Sequence, residues 1–316
     1  MDVILHWLVE AKLFGIPAYV WVAALLVIIA AALVLGVFMS KKGRRTAPRA
    51  DAVKREGVRT IEPQKAACGL QVSNVHGIGA RSYQQDAFAV SPLSDAALCE
   101  SKGVLLALAD GMGGMTDGGK ASAIVIDTLL KGFLEGAFAE DPSVGLASLL
   151  YSAGAKVQSL DNSGSTAIGA VVRGGKLYFA ACGDSRLALF RGGALLTLNR
   201  EQNYAVMLDD RAARGEIPYW EALSDPQRHA LTSYAGAAHI KVDRSLAPVT
   251  LCEGDIIVLM SDGVYNALCD EELCSYLKGN LYEAAERIER AILEKNLEEQ
   301  DNFTAILAKF NAAEGK

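Results

Sequence analysis

The chain has 316 residues, of which 51% are apolar, 22% are charged and only 8 are Pro, so disorder over most of its length is excluded. Six Cys exclude a disulfide scaffold, and no CxxC pair or His/Cys cluster marks a zinc site. The net charge of −6 argues against nucleic acid as the main partner. It divides unevenly, with −1 on residues 1–40, +6 on 41–65 and −11 on 66–316.

The apolar head comes first. From Leu13 to Ser40 no residue is charged, and the 24 residues 16–39 are its densest part. As a helix at ~1.5 Å per residue they reach ~36 Å, enough for a ~30 Å hydrocarbon core. Pro17 stands near the start, where a missing N–H costs little. Tyr19 and Trp21 lie toward one end, as interfacial aromatics do. A cleaved signal peptide would place its positive charges ahead of a shorter apolar stretch. Here Lys41, Lys42, Arg44 and Arg45 follow a long one. The expectation is an extracytoplasmic segment over 1–15, a single transmembrane helix over 16–40 and a basic linker over 41–66. The positive flank predicts that everything after it is cytoplasmic. Free thiols fit a reducing compartment. The linker's charge suits anionic headgroups as well as it suits a plain tether.

From about residue 67 to 312 the pattern changes to short apolar runs separated by Gly and polar turns. Strands are predicted over 104–110, 167–173, 176–182, 186–191, 255–261 and 303–310. Helices are predicted over 119–135, 143–160, 203–214, 270–277 and 281–295. Very short turns between 176 and 198 suit antiparallel hairpins rather than βαβ crossovers. Helices bracket a block of strands, which predicts an α+β fold of packed sheets with helices outside.

Several acids stand at the ends of the apolar runs. Asp110-Gly111 follows VLLALA, Asp262-Gly263 follows IIVLMS, Asp301-Asn302 precedes FTAILA, and Asp86 lies in RSYQQDAF. Any one Asp-Gly usually only starts a turn. Taken as a set, buried carboxylates that converge cannot all stay ionised without a cation between them. Oxygen-only ligands suit hard ions such as Mg²⁺ or Mn²⁺.

The blocks GIGARSYQQDAF (77–88), LALADGMGGMTDGGKAS (106–122), SGSTAIGAVV (163–172), LYFAACGDSRLALFRGG (177–193), DPQRHALTSYAG (225–236), IIVLMSDGVYNAL (256–268) and QDNFTAI (300–306) follow one another along the chain. In that order they resemble the metal-dependent protein phosphatases of the PP2C family in their bacterial form, over roughly residues 70–310. The resemblance implies a four-layer αββα sandwich of two antiparallel sheets flanked by helices. It also implies a pair of Mn²⁺ or Mg²⁺ ions at one end of the sandwich. In it Asp110 would bridge the ions, the Gly111 carbonyl would hold one of them, and Asp262 and Asp301 would ligate the other. Asp86 would support the first ion's waters, and Arg81 would bind substrate phosphate. Asp184 in GDSR matches a ligand of a third, weaker ion. The bland reading of Asp184 is a hairpin turn with Arg186 pairing nearby. Substrates would be phosphoserine or phosphothreonine proteins, with a membrane Ser/Thr kinase as a natural partner.

Three positions depart from the family's pattern. Gln85 stands where a Glu is common, Met112 where eukaryotic relatives carry a His that donates a proton, and Asn266 where an Asp can serve the third ion. Either water protonates the leaving group or another residue does, with His229 and His76 as the remaining candidates, each having a structural or exposed role as the plainer reading. Gly113, Gly114, Gly118 and Gly119 read as places of close backbone approach. The segment 203–231 is expected to be mobile and to shape substrate choice. The Cys residues, Cys182 and Cys252 among them, read as small buried apolar residues. Two other readings stay open. One is a non-catalytic membrane-tethered binding or sensor domain, which Gln85 and Asn266 favour. The other is a narrow phosphatase for one phosphoserine regulator.

Overall fold

The computed structural model describes residues 69–113, 117–136, 138, 140–160 and 162–311, with short strand pieces at 12–13, 16–17 and 64–65. The chain divides into two units, residues 1–55 and 56–316. In the first, β1 (Lys12–Leu13) pairs antiparallel with β2 (Ile16–Pro17). This corrects the start of the helix expected over 16–40. Ile16 and Pro17 lie in a strand pair, where the fixed φ of proline fits and its missing N–H is tolerated at an edge. The remainder of that span and the linker from 41 to 63 lie outside the described residues. Among the described residues no helix is long and apolar enough to cross a membrane.

The second unit begins inside the expected linker with β3 (Gln64–Lys65). Next come β4 (Leu70–Gly77), β5 (Asp86–Val90), α1 (Ala96–Ser101), β6 (Val104–Gly113), α2 (Asp117–Glu135) and α3 (Pro142–Val157). The middle of the chain forms β7 (Ser163–Ser165), β8 (Ala167–Arg173), β9 (Lys176–Cys182), β10 (Arg186–Arg191) and β11 (Ala194–Thr197). Two helices, α4 (Tyr204–Ala213) and α5 (Tyr219–Ser224), precede the short strands β12 (Asp243–Arg244) and β13 (Val249–Thr250). The chain closes with β14 (Ile256–Met260), α6 (Asp262–Tyr265), α7 (Asp270–Tyr276), α8 (Leu281–Lys295) and β15 (Phe303–Phe310).

The strands form two antiparallel sheets. One has the order β11-β10-β14-β15-β4-β3; the other runs β12-β9-β8-β6-β5, with β13 on β9 and β7 on β6. Period-two alternation explains the layers. On β6, Leu106 and Leu108 point into the core between the sheets, while Leu105, Ala107 and Ala109 lie under α2 and α3. On β15, Ile306 and Ala308 face the same central core, and Phe303, Ala305 and Leu307 pack with Ile288 and Ile292 of α8. β6 and β15 are covered on both faces, so each reads as a continuous apolar run. Small residues on the outer face let the helices sit close. A Cβ on Gly169 would come within 2.7 Å of Leu146 Cδ2.

β6, β8, β9, β10, β14 and β15 fall where the pattern places strands, whereas β4 and β5 lie outside the predicted runs. β6 runs three residues past the predicted end, to Gly113, and β14 is shorter than predicted. Asp255 lies in the turn before that strand, its N–H donating to the Cys252 carbonyl at 3.1 Å, and its carboxylate takes the Arg191 guanidinium at 2.6 and 2.9 Å. The acid-bearing ends of β5, β6, β14 and β15 meet at one end of the sandwich, with Asp86 directly opposite Asp110 in the β5–β6 register.

Candidate active site

Asp86 is buried at the start of β5, only 6% exposed. Its Oδ2 accepts hydrogen bonds from Ser261 Oγ at 2.8 Å and Thr304 Oγ1 at 2.6 Å. Its Oδ1 has no partner. Burial pushes this carboxyl up to about 7, the two hydroxyls pull the other way, and the charges of Asp262 and Asp301 add to the rise. Asp110 is raised well above the usual carboxylate range, first by burial and then by the charges of Asp86, Asp262, Asp184 and Asp301. Asp262 is also raised by burial and by Asp301, while a hydrogen bond with the Asp110 carboxyl opposes the shift. Its Oδ1 is a second buried oxygen without a partner. Asp184, in the turn between β9 and β10, is pushed up to about 7 by burial and by Asp262 and Glu201. These acids are close enough to raise one another's protonation.

Asp110, Asp184, Asp262 and Asp301 line one cleft of about 410 Å³, together with Arg81 and His229. Arg81 Nη2 donates to Asp301 Oδ2 at 2.7 Å, across 220 residues of sequence. The guanidinium is more than half exposed and open to a ligand. Asp110 is fixed through its main chain. Its N–H donates to Thr166 Oγ1 at 2.9 Å, and its carbonyl accepts from Thr166 N–H at 2.8 Å and Ser165 Oγ at 3.0 Å.

One side chain makes three bonds to the loop that carries Arg81 and Gln85. Asn302 Nδ2 donates to the carbonyls of Ile78 and Tyr83 at 2.8 and 3.0 Å, and its Oδ1 accepts from Gln85 N–H at 2.8 Å. Gly118 makes the close approach expected of it. A Cβ there would lie 2.4 Å from Gln85 Nε2 and 2.8 Å from the Gly111 carbonyl oxygen. Gly114 lies outside the described residues.

The structure therefore brings Arg81, Gln85, Asp86, Asp110, Gly111, Asp184, Asp262, Asp301 and His229 to one place. Asn266 is adjacent, its Nδ2 3.3 Å from Asp262 Oδ2. His76 is not in the cleft. It packs against Phe88 and bonds Thr304 Oγ1 at 2.9 Å, and burial holds its pKa below the usual value. Arg186 does not pair with Asp184. It is drawn to Glu201 and Asp270 and stacks on Tyr265, 4.4 Å from the ring centre. Cys182 is buried as expected, but Cys252 is exposed, because it lies in the loop beyond β13 rather than in a strand. Ser261, Thr304, Thr166 and Asn302 were not singled out in the sequence. Hydroxyls and amides of this kind occur throughout the chain, and each acts on a partner distant in sequence.

A family model for protein phosphatase 2C matches residues 77–300, from the end of β4 to the residue before Asp301. The chain belongs to the protein phosphatase 2C family. Within that family it is 32% identical over 219 residues to the serine/threonine protein phosphatase PstP of Mycobacterium tuberculosis. The match covers 65% of this chain and 40% of PstP, so the chain spans less than half the length of that relative. A solved structure of a serine/threonine phosphatase from S. agalactiae superposes with a TM-score of 0.65 at 25% identity, over 77% of this chain and all of the other. The catalytic domain of PstP in complex with two manganese ions superposes with a TM-score of 0.58 at 25% identity, over 77% of this chain and 98% of that one. The two antiparallel sheets flanked by helices are the protein phosphatase 2C fold.

Proposed function

We propose that this protein is a manganese- or magnesium-dependent phosphatase that hydrolyses phosphoserine and phosphothreonine on proteins. The observation that carries this reading is the pair of buried, unpartnered carboxylate oxygens on Asp86 and Asp262 beside the crowded Asp110. Buried like charges of this kind are costly without a cation. The donors are all oxygens, which suits hard divalent ions. Among the described residues no three His, Cys, Asp or Glu side chains close into a metal cage by themselves.

Asp110, Asp262, Asp301 and the Gly111 carbonyl would hold two ions, Asp86 would orient waters on the first, and Asp184 would serve a third. When bound, such ions lower the pKa of water and neutralise charge on phosphoryl oxygens. The rest falls to the chain's own groups. The Arg81 guanidinium can take two phosphoryl oxygens in one fork, which orients the phosphoester for in-line attack. Asp301, which pairs with Arg81, keeps that fork at the cleft. Thr166 and Ser165 hold the Asp110 backbone rigid, so its carboxylate need not be ordered when the reaction occurs. PstP with its two manganese ions supports the choice of metal. The apolar run 18–39, beyond β2, with its basic flank supports a membrane-anchored enzyme with a cytoplasmic catalytic domain. A membrane Ser/Thr kinase or its targets would then be within reach as substrates.

The test is phosphate release from a phosphothreonine peptide by the full chain. Release is expected with Mn²⁺ or Mg²⁺, none with EDTA, and a loss of at least about 10³-fold in Asp110→Asn, as for loss of a group central to charge stabilisation. No metal-dependent release from any phosphopeptide or phosphoprotein would leave the non-catalytic binding domain as the better reading. Release from a single phosphoprotein and from no peptide would mark a narrow phosphatase.

A further inference from the structure

Departure of a serine or threonine oxygen from phosphorus needs a proton, because an alkoxide is a poor leaving group. The cleft offers few sources. Its carboxylates are the groups that must be ionised to hold cations. The Arg81 guanidinium does not give up its proton, and Gln85, Asn302 and Thr166 have none to exchange near neutral pH. Met112 lines the cleft as a thioether. That leaves His229, whose imidazole ring nitrogens can donate or accept a proton. His76 stands behind Thr304, outside the cleft.

His229 is also held in place. The main chain on either side of it is bonded to the start of α4, by Ala205 N–H to the Arg228 carbonyl and by Tyr204 N–H to the Ala230 carbonyl, each at 2.8 Å. The Arg228 side chain locks the same turn onto Asp209 with two bonds of 2.8 and 2.9 Å. Leu231 forms a bridge with Asn203. The segment from 203 to 231 carries its own small core of Leu208, Ile217 and Ala222. His229 is therefore an exposed residue on a braced segment that lines the same cleft as Asp110, Asp184, Asp262 and Asp301.

We propose that His229 is the general acid of the reaction, a role that rests on the phosphatase reading above. Water oxygen forms a bond to phosphorus as the bond from phosphorus to the serine or threonine oxygen breaks. The electron pair goes to that oxygen, and the imidazolium ring N–H supplies its proton. The proton lost by the attacking water returns through solvent to the ring, so the cycle closes with one water consumed.

The experiment compares two substrates in the full chain with Mn²⁺: a phosphothreonine peptide, and p-nitrophenyl phosphate, whose phenolate leaves with little need of a proton. His229→Ala is expected to lose about 10²-fold or more in kcat/KM on the peptide, the usual worth of a general acid. On the aryl phosphate it should lose only a few-fold. Equal losses on both substrates, or a peptide rate within about threefold of wild type, would overturn the proposal. His229→Gln is run alongside, with Mn²⁺ binding measured by calorimetry. Loss of Mn²⁺ affinity in both variants would assign His229 to the metal site and also overturn it. A wild-type chain inactive on both substrates would instead sink the phosphatase reading itself.

Discussion

Asp86 is satisfied on one oxygen and unsatisfied on the other. Ser261 and Thr304 donate to Oδ2, and Oδ1 is left bare in a buried place. The bare oxygen costs least when it is protonated or faces a cation. This gives a pH dependence with a definite sign. A carboxyl held at about 7 in the fold, against about 4 in the unfolded chain, takes up a proton on folding between those values. Its contribution to stability is fully present below about pH 4 and is lost as pH rises through about 7. Asp184, also held at about 7, acts in the same direction. The metal-free protein is expected to melt at a higher temperature at pH 6 than at pH 8. Mn²⁺ should raise the melting temperature more at pH 8, where the acids are ionised and no proton has to leave. Thermal melts at both pH values, with and without Mn²⁺, check this; a larger Mn²⁺ gain at pH 6 would contradict it.

At the scale of elements, the start of α2 is pressed against the end of β6, and two glycines make that contact. A Cβ on Gly111 would lie 2.0 Å from the Gly118 carbonyl oxygen, and one on Gly118 would lie 2.8 Å from the Gly111 carbonyl oxygen. Replacing a helical Gly by Ala normally stabilises by up to about 1 kcal/mol. At Gly118 the new methyl meets backbone, which cannot swing away, and overpacking of that kind costs about 1–3 kcal/mol. The clash wins, and it shifts the strand end that carries Asp110. At Gly119 the nearest atom is the Gln84 carbonyl oxygen at 3.2 Å, and the two effects roughly balance. Gly118→Ala should lower both the melting temperature and the Mn²⁺ affinity, while Gly119→Ala stays near wild type. Melts and calorimetry on the two variants check this, and a Gly118→Ala protein more stable than wild type would show that the contact yields. The same elements show what the sequence made legible. Asp110 and Asp262 stand out because each follows an apolar run and precedes a Gly. Asn302 and Thr304 do not stand out, because their work is done on residues 78–86, more than 200 positions away. No local period carries that relation, and amides and hydroxyls have many uses.

For the whole molecule, charge is arranged along the chain in three blocks, and each block has a different relation to a membrane. The 22 uncharged residues 18–39 that follow β2 would reach ~33 Å as a helix, long enough to cross a bilayer. The +6 of residues 41–65 resists translocation and is drawn to anionic headgroups, each Lys or Arg near the surface being worth about 1 kcal/mol. The −11 of the body is repelled by the same headgroups. If only the basic block held the protein at the membrane, raising the salt would release it, since that attraction falls off within a Debye length of ~10 Å at 0.1 M. If the apolar run spans, salt and alkaline carbonate would leave the chain in the membrane fraction. The expected outcome is that the full chain stays with membranes through both washes. A chain lacking residues 1–40 should be released by salt alone, and one lacking residues 1–65 should be soluble from the start. Ultracentrifugation of cells expressing the three forms separates these cases, and full chain in the salt supernatant would remove the spanning helix from the proposal. Active-site chemistry is indifferent to the result, because the residues that build the cleft all lie between Arg81 and Asn302; what changes is which phosphoproteins that cleft can reach.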